Sequence, residues 1–154
     1  MEVGSSSLPR STITPDDLIP NNIIWLNSMR KQVENYFDIA SKVAMSKLDK
    51  RSFIFGAVGI RNDGRQVRAI NSPTEFPNRK AHVEYKLSQK LDKNAVVYIV
   101  RIRLLDGNFA MARPCSSCMK LLKGKSVIKA YYTISNYEWG VWDVANNTDT
   151  YYTK

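Results

Sequence analysis

The spacing of hydrophobic residues predicts a long amphipathic helix near the start of the chain. After Asn21 and Asn22, apolar residues recur at steps of three and four, with charged residues between them. This spacing keeps the apolar side chains on one face of an α-helix, where they can cover a core. The face consists of Leu26, Met29, Val33, Phe37, Ala40, Ala44 and Leu48. Residues 1–21, which are rich in Ser, Thr and Pro, predict a poorly ordered arm.

Runs of apolar and β-branched residues predict five strands further along the chain. They cover residues 51–61, 65–70, 95–103, 126–134 and 137–144. Asp63-Gly64 separates the first two runs, and Asp-Gly between two strands is typical of a β-hairpin. The third run is almost continuously apolar where it begins, which favours a central strand buried on both faces.

Two shorter helices are predicted between these strands. Residues 81–93 place apolar side chains on one face, and residues 115–125 form a short helix that ends at Gly124. The resulting order α-β-β-α-β-α-β-β predicts a three-layer α/β/α sandwich around a mixed five-stranded sheet. We expect one domain over residues 22–146, followed by a frayed tail over 147–154.

The connection between the last two predicted strands determines their relative direction. Only Ser135 and Asn136 separate the strands, whereas parallel neighbours need a crossover of about a dozen residues or more. We therefore expect an antiparallel hairpin. The apolar segment Trp139 to Trp142 would then be an edge strand, through which copies of the chain could associate as a homo-oligomer.

The charge and the cysteine content narrow the class of protein. The chain has a net charge of +9, which favours an anionic partner, although the Lys and Arg residues are scattered rather than clustered. It has neither the roughly 18 uncharged apolar residues of a membrane-spanning helix nor the apolar segment of a secretory signal near residue 1. We therefore expect a cytoplasmic protein without membrane contact, whose two cysteines are reduced.

The two cysteines, Cys115 and Cys118, have the spacing C-x-x-C. Such a pair can be a redox couple, but the thioredoxin-like motif usually follows the first strand of its fold, and here three strands precede it. It can also be half of a structural zinc site, which would need a second pair of soft ligands. The chain has no further cysteine and a single histidine, His82.

His82 lies at the start of the second predicted helix, and the cysteines lie at the start of the third. In a β-α-β-α arrangement both helices begin at the same edge of the sheet, so the three side chains should converge there. Three ligands are typical of catalytic zinc, which keeps its fourth position for water. Glu84, two residues after His82, would then be close enough to act as a general base.

Together, His82-Val83-Glu84 and Pro114-Cys115-Ser116-Ser117-Cys118 form the pattern H-x-E…P-C-x-x-C. By this pattern the chain resembles the cytidine deaminase superfamily, a group of zinc-dependent nucleobase deaminases, over about residues 22–144. The resemblance implies that His82 and the two cysteines bind Zn²⁺, and that Pro114 matches the proline before the paired cysteines.

The resemblance also implies a hydrolytic mechanism. A zinc-bound hydroxide would attack C4 of cytosine, and uracil would result. Glu84 would take the proton of the water, protonate ring nitrogen N3, and later deliver a proton to the leaving ammonia.

Substrate contacts follow from the resemblance residue by residue. Asn71 matches a sugar-binding Asn, and Ala57 matches a small residue near the base pocket. Phe55, Tyr132 and Trp139 are aromatic residues that could stack on a base. Each of these residues also has a structural explanation, as a turn residue in the case of Asn71 and as core in the others.

The hairpin ending and the histidine ligand resemble the deaminase domains of bacterial toxins and plant organelle RNA editors, along with some phage proteins. With the positive charge, they favour cytosine in single-stranded nucleic acid as the substrate. Free cytidine, deoxycytidine or their nucleotides are the alternative. A third hypothesis is a catalytically silent domain that binds zinc for stability, and a fourth is a redox C-x-x-C pair. Glu84 argues against a silent domain, which would not need this carboxylate.

Overall fold

A computed structural model describes residues 12–13, 20–46, 51–70 and 82–153. Within these ranges the chain forms three helices and eight strands. In chain order they are β1 (Thr12–Ile13), α1 (Pro20–Ala44), β2 (Phe53–Ile60), β3 (Gln66–Ile70), α2 (Val83–Ser88), β4 (Val96–Arg103), β5 (Phe109–Ala110), α3 (Ser116–Gly124), β6 (Lys129–Thr133), β7 (Glu138–Asp143) and β8 (Thr148–Thr153).

The strands form one open mixed sheet in the order β1-β8-β7-β6-β4-β2-β3, with β5 paired to β4. β4 and β6 are parallel, whereas β2 is antiparallel to both of its neighbours. The predicted hairpins β2–β3 and β6–β7 are confirmed. The mixed α/β class is therefore confirmed, but the sheet has more strands than the five predicted.

The residues predicted as a tail form strand β8, which is antiparallel to β7 along its whole length. The turn between them has Asn147 at φ 52, and the Asn147 side chain accepts a hydrogen bond of 3.0 Å from Trp142 Nε1. β8 also pairs with β1, inside the predicted arm. Because β7 lies between β6 and β8, the strand that we expected to be an edge for a homo-oligomer is interior, and the prediction of that edge is wrong.

Helix α1 packs on one face of the sheet with the apolar face that its spacing predicts, as far as Ala44, while Leu48 lies outside the described residues. Its buried residues meet a layer that includes Ile54, Val58 and Val100. Gly56 lets the helix approach this closely, since a Cβ there would lie only 2.3 Å from the carbonyl oxygen of Ala40. None of the helices in the described ranges has an apolar stretch long enough to cross a bilayer.

Helices α2 and α3 pack on the opposite face, against Ala57, Val97 and Ile99. β3 and β4 are both antiparallel to β2 and so run in the same direction. The helices that follow these two strands therefore begin at the same edge of the sheet. α2 is shorter than predicted. After Ser88 the chain continues in turns whose hydrogen bonds join residues three apart, as from Leu91 to Ser88, although Leu91 is still buried.

Candidate metal centre

The starts of α2 and α3 bring together His82, Cys115 and Cys118, which we call the His-Cys-Cys cluster. His82 and Cys115 are the last extended residues before their helices, and Cys118 lies in the first turn of α3. One ligand atom from each residue lies within 4.8 Å of the others. Cys118 Sγ and His82 Nδ1 are 3.6 Å apart. The predicted convergence is therefore confirmed.

The His-Cys-Cys cluster has the chemistry and the spacing to hold a metal ion. Two thiols and an imidazole are a donor set that zinc prefers. Tetrahedral zinc at ordinary bond lengths separates its ligand atoms by about 3.5 to 3.8 Å, which matches the distance between Cys118 and His82. Both cysteines are free thiols. The residues therefore fit Zn²⁺.

The two thiols lie in different environments. Cys118 is buried, and burial raises its pKa, with the Glu84 carboxylate adding to the effect. Cys115 is exposed. The partial burial of its thiol acts to raise its pKa, but the nearby Ser117 hydroxyl, 3.3 Å from Sγ, and the backbone N–H of Cys118 together lower it. The exposed Cys115 places the cluster where a substrate can reach it.

Glu84 lies in the first turn of α2, two residues after His82, and the thiol of Cys118 is close enough to influence the pKa of its carboxyl group. Only 6% of the residue is exposed. Burial raises the pKa of the carboxyl, while its hydrogen bonds act in the opposite direction. A carboxyl group with a raised pKa holds a proton more readily than an exposed one and can return it, as an acid–base catalyst must.

The predicted substrate contacts differ in burial and in their position relative to α2 and α3. Phe55 is half-buried on the face of the sheet that carries α2 and α3. Ala57 is completely buried in the core below α2, together with Val83. Pro114 is buried at the entrance to α3. Asn71 lies outside the described residues.

The two remaining aromatic residues of the predicted site belong to the core. Tyr132 is fully buried below α3, and Trp139 is 1% exposed on the opposite face of the sheet, under α1. Trp139 stacks on Tyr152, with 4.3 Å between ring centroids. Neither side chain is exposed to stack on a base, so the structure does not support their assignment as substrate contacts.

Sequence analysis missed an ion pair that ties the last strand to the cysteine loop. Arg113 Nε and Nη2 each donate a hydrogen bond of 2.9 Å to the carboxylate of Asp149 in β8. The Tyr132 hydroxyl donates to the same carboxylate, and the Asp149 side chain is only 5% exposed. Gly140 makes room for the ring, since a Cβ there would lie 2.5 Å from Tyr132 Cζ. The pair therefore fixes the chain two residues before Cys115.

Replacing Asp149 by Asn is expected to loosen this loop. The change would leave the largely buried Arg113 guanidinium without a counter-charge, which we expect to lower the free energy of unfolding by about 2 to 3 kcal/mol. Zinc affinity should fall by about tenfold, because the loop carries a ligand. Denaturant unfolding and competition with a chelator measure the two effects. Asp143→Asn is the control, because Asp143 ends β7 and its carboxylate accepts a hydrogen bond from Asn146 in the next turn, and equal zinc affinity in Asp149→Asn would contradict the anchoring role.

Comparison with known proteins does not assign the chain to a family. No family model matches it, and no curated protein matches it. The functional conclusion therefore depends on the His-Cys-Cys cluster, on Glu84 and on their arrangement at the start of two helices.

Proposed function

We propose that the protein is a zinc-dependent hydrolytic deaminase that converts cytosine to uracil. The observation that carries the proposal is the position of a buried carboxyl group, Glu84, in the first turn of α2, two residues after His82 of the His-Cys-Cys cluster. A zinc site that serves only stability is usually closed by four ligands. The whole chain contains one histidine and two cysteines, so it offers three soft ligands and leaves a position for water.

Each residue of the site would have a distinct task. His82, Cys115 and Cys118 would hold Zn²⁺, which when bound lowers the pKa of a water molecule and supplies a nucleophile at neutral pH. Glu84 would take a proton from the attacking water and give it to N3 of cytosine, and would then take the second proton from the hydroxyl group on C4 and give it to the departing amine. Cytosine and water thereby become uracil and ammonia, and Glu84 ends in the state in which it began.

Cytosine in single-stranded nucleic acid is the substrate class that we favour. The net charge of +9 suits a polyanion, and the β6–β7 hairpin together with a histidine as first ligand is the combination that resembles the nucleic-acid deaminases named above. Free cytidine, deoxycytidine and their nucleotides are the alternative substrates, since the exposed Cys115 leaves the cluster open to small molecules as well.

One incubation tests these proposals together. The zinc-loaded protein is mixed with cytidine, deoxycytidine, their monophosphates, and single-stranded DNA and RNA, and mass spectrometry follows the gain of about one dalton that deamination causes. We expect conversion of the polynucleotides. Conversion of the monomers alone would exclude the polynucleotide substrate. No conversion of any substrate by fully metallated protein would refute the deaminase and favour a zinc-stabilised binding domain.

A further inference from the structure

Arg101 lies near the end of β4, on the face of the sheet that carries the His-Cys-Cys cluster. Side chains alternate between the two faces of a strand, and Val97 and Ile99 point into the core below α2 and α3. Arg101, two residues further on, therefore points to the same side. It is directly opposite Phe55 in the β2–β4 register.

The backbone of Arg101 is joined to the cysteine loop through a single residue of β6. The Arg101 N–H lies 3.3 Å from the hydroxyl oxygen of Thr133. The carbonyl oxygen of Thr133 accepts a hydrogen bond of 2.9 Å from the N–H of Ala112, three residues before Cys115. Arg101 is thus at the edge of the sheet where the chain turns toward the cluster.

Two phenylalanine rings hold the guanidinium group of Arg101. Its Cζ lies 3.9 Å from the centroid of the Phe53 ring and 5.5 Å from that of Phe55. Stacking on aromatic rings orients a guanidinium and leaves the edge that carries its N–H donors free to bind other groups. This contact also gives Phe55 a role different from stacking on a base.

The N–H donors of Arg101 lack an acidic partner in the part of the chain that the structure describes. Its Nε is buried, and no acceptor among the described residues lies within hydrogen-bonding distance. The neighbouring arginines differ, since Arg103 pairs with Asp106 and Arg113 with Asp149. A guanidinium that is held by aromatic rings, and whose Nε no described residue satisfies, is a good receptor for an oxyanion, and its planar fork matches phosphate.

We propose that Arg101 binds a phosphate group of the substrate, so that the protein acts on phosphorylated cytosine compounds rather than on nucleosides. This inference rests on the proposed deaminase function. The phosphate is the monoester of a free nucleotide or the diester of a polynucleotide. Both present the same oxygens to the guanidinium, and substrate comparison distinguishes them.

The test compares zinc-loaded wild-type protein with Arg101→Met, which keeps the apolar stem and removes the charge. We expect kcat/KM to fall by about 10- to 100-fold for cytidine monophosphate, for a short single-stranded oligonucleotide, or for both, and to stay unchanged for cytidine. A fall for the monophosphate alone identifies a free nucleotide, and a fall for the oligonucleotide alone identifies a polynucleotide. Arg101→Lys should recover part of the loss, because it restores the charge but not the fork.

Arg103→Met is the matched control, because that side chain lies two residues away and pairs with Asp106. It should not change the ratio of kcat/KM values between phosphorylated and unphosphorylated substrates. The proposal would be overturned if Arg101→Met lowered all kcat/KM values equally, as a structural residue would, or lowered none of them.

A binding measurement separates this inference from the proposed function. Calorimetric titration with cytidine monophosphate and with the oligonucleotide should show binding that weakens by about the same factor in Arg101→Met. If wild-type protein deaminates nothing, the deaminase proposal fails, and these titrations alone decide the role of Arg101. Weaker binding by the variant supports a phosphate site, and equal binding refutes it.

Discussion

Replacing Glu84 by Gln is expected to reduce cytosine deamination by about 10² to 10⁴-fold while the metal stays bound, because general acid–base catalysis contributes that much. The side-chain amide fills the same volume but cannot shuttle a proton. Burial already favours the neutral form of Glu84, so we expect the free energy of unfolding to change by less than about 1 kcal/mol. The measurements are kcat on the best substrate, zinc content and denaturant unfolding.

The control for Glu84→Gln is the same kind of change at an exposed acid. Asp38 pairs with Lys42 on the surface of α1, and Asp38→Asn should leave kcat unchanged. Full activity in Glu84→Gln would refute the mechanism in which Glu84 transfers protons. A large loss of zinc in that variant would instead make Glu84 a residue that supports the metal rather than one that transfers protons.

Replacing Cys118 by Ser is expected to produce the second large effect, the loss of metal binding. Serine has nearly the shape of cysteine, so the first turn of α3 should still pack, but its hydroxyl is a poor zinc ligand. Zinc at a free concentration 100 times its dissociation constant should stabilise the wild-type protein by about 2.7 kcal/mol. The same concentration should not measurably stabilise the variant. Denaturant unfolding with zinc and with a chelator measures both.

Ser116→Ala is the control for the ligand variant, since it changes an exposed residue of the same helix turn. Equal stabilisation by zinc in Cys118→Ser and in wild type would mean that the cluster is not the metal site. If the wild-type protein bound no zinc and formed a reversible disulfide between Cys115 and Cys118, the redox explanation of the pair would replace the metal site.

The parts of the fold that the sequence predicted correctly depend on local periodicity. The apolar spacing in α1 has a period that a helix alone satisfies, so its buried face could be read from Leu26 to Ala44. β8 could not be recognised in this way. It lies toward the edge of the sheet, where only Tyr152 is buried, so its hydrophobic signal is weak. Its three Thr and two Tyr residues, which favour strands, were the available indication.

In the candidate site too, residues with a local sequence signal could be predicted, whereas residues that depend on contacts between distant segments could not. The residues proposed to supply the chemistry are His82, Glu84 and the two cysteines, and they could be located because each lies at the start of a helix. Asp149 could not be located, because its contact with Arg113 depends on the register of a strand 36 residues away. The aromatic residues were misjudged because Tyr132 and Trp139 look alike in sequence whether a strand turns them toward a substrate or into the core.

The position of β8 has a consequence for the order in which the protein is made. A chain leaves the ribosome from its N-terminus, and local structure forms before contacts between distant segments. α1, the β2–β3 hairpin and even the three metal ligands emerge before Asp149. The cysteine loop therefore acquires its anchor from a segment that is synthesised after it, and a nascent chain that already carries the whole His-Cys-Cys cluster still lacks the ion pair that fixes the cysteine loop.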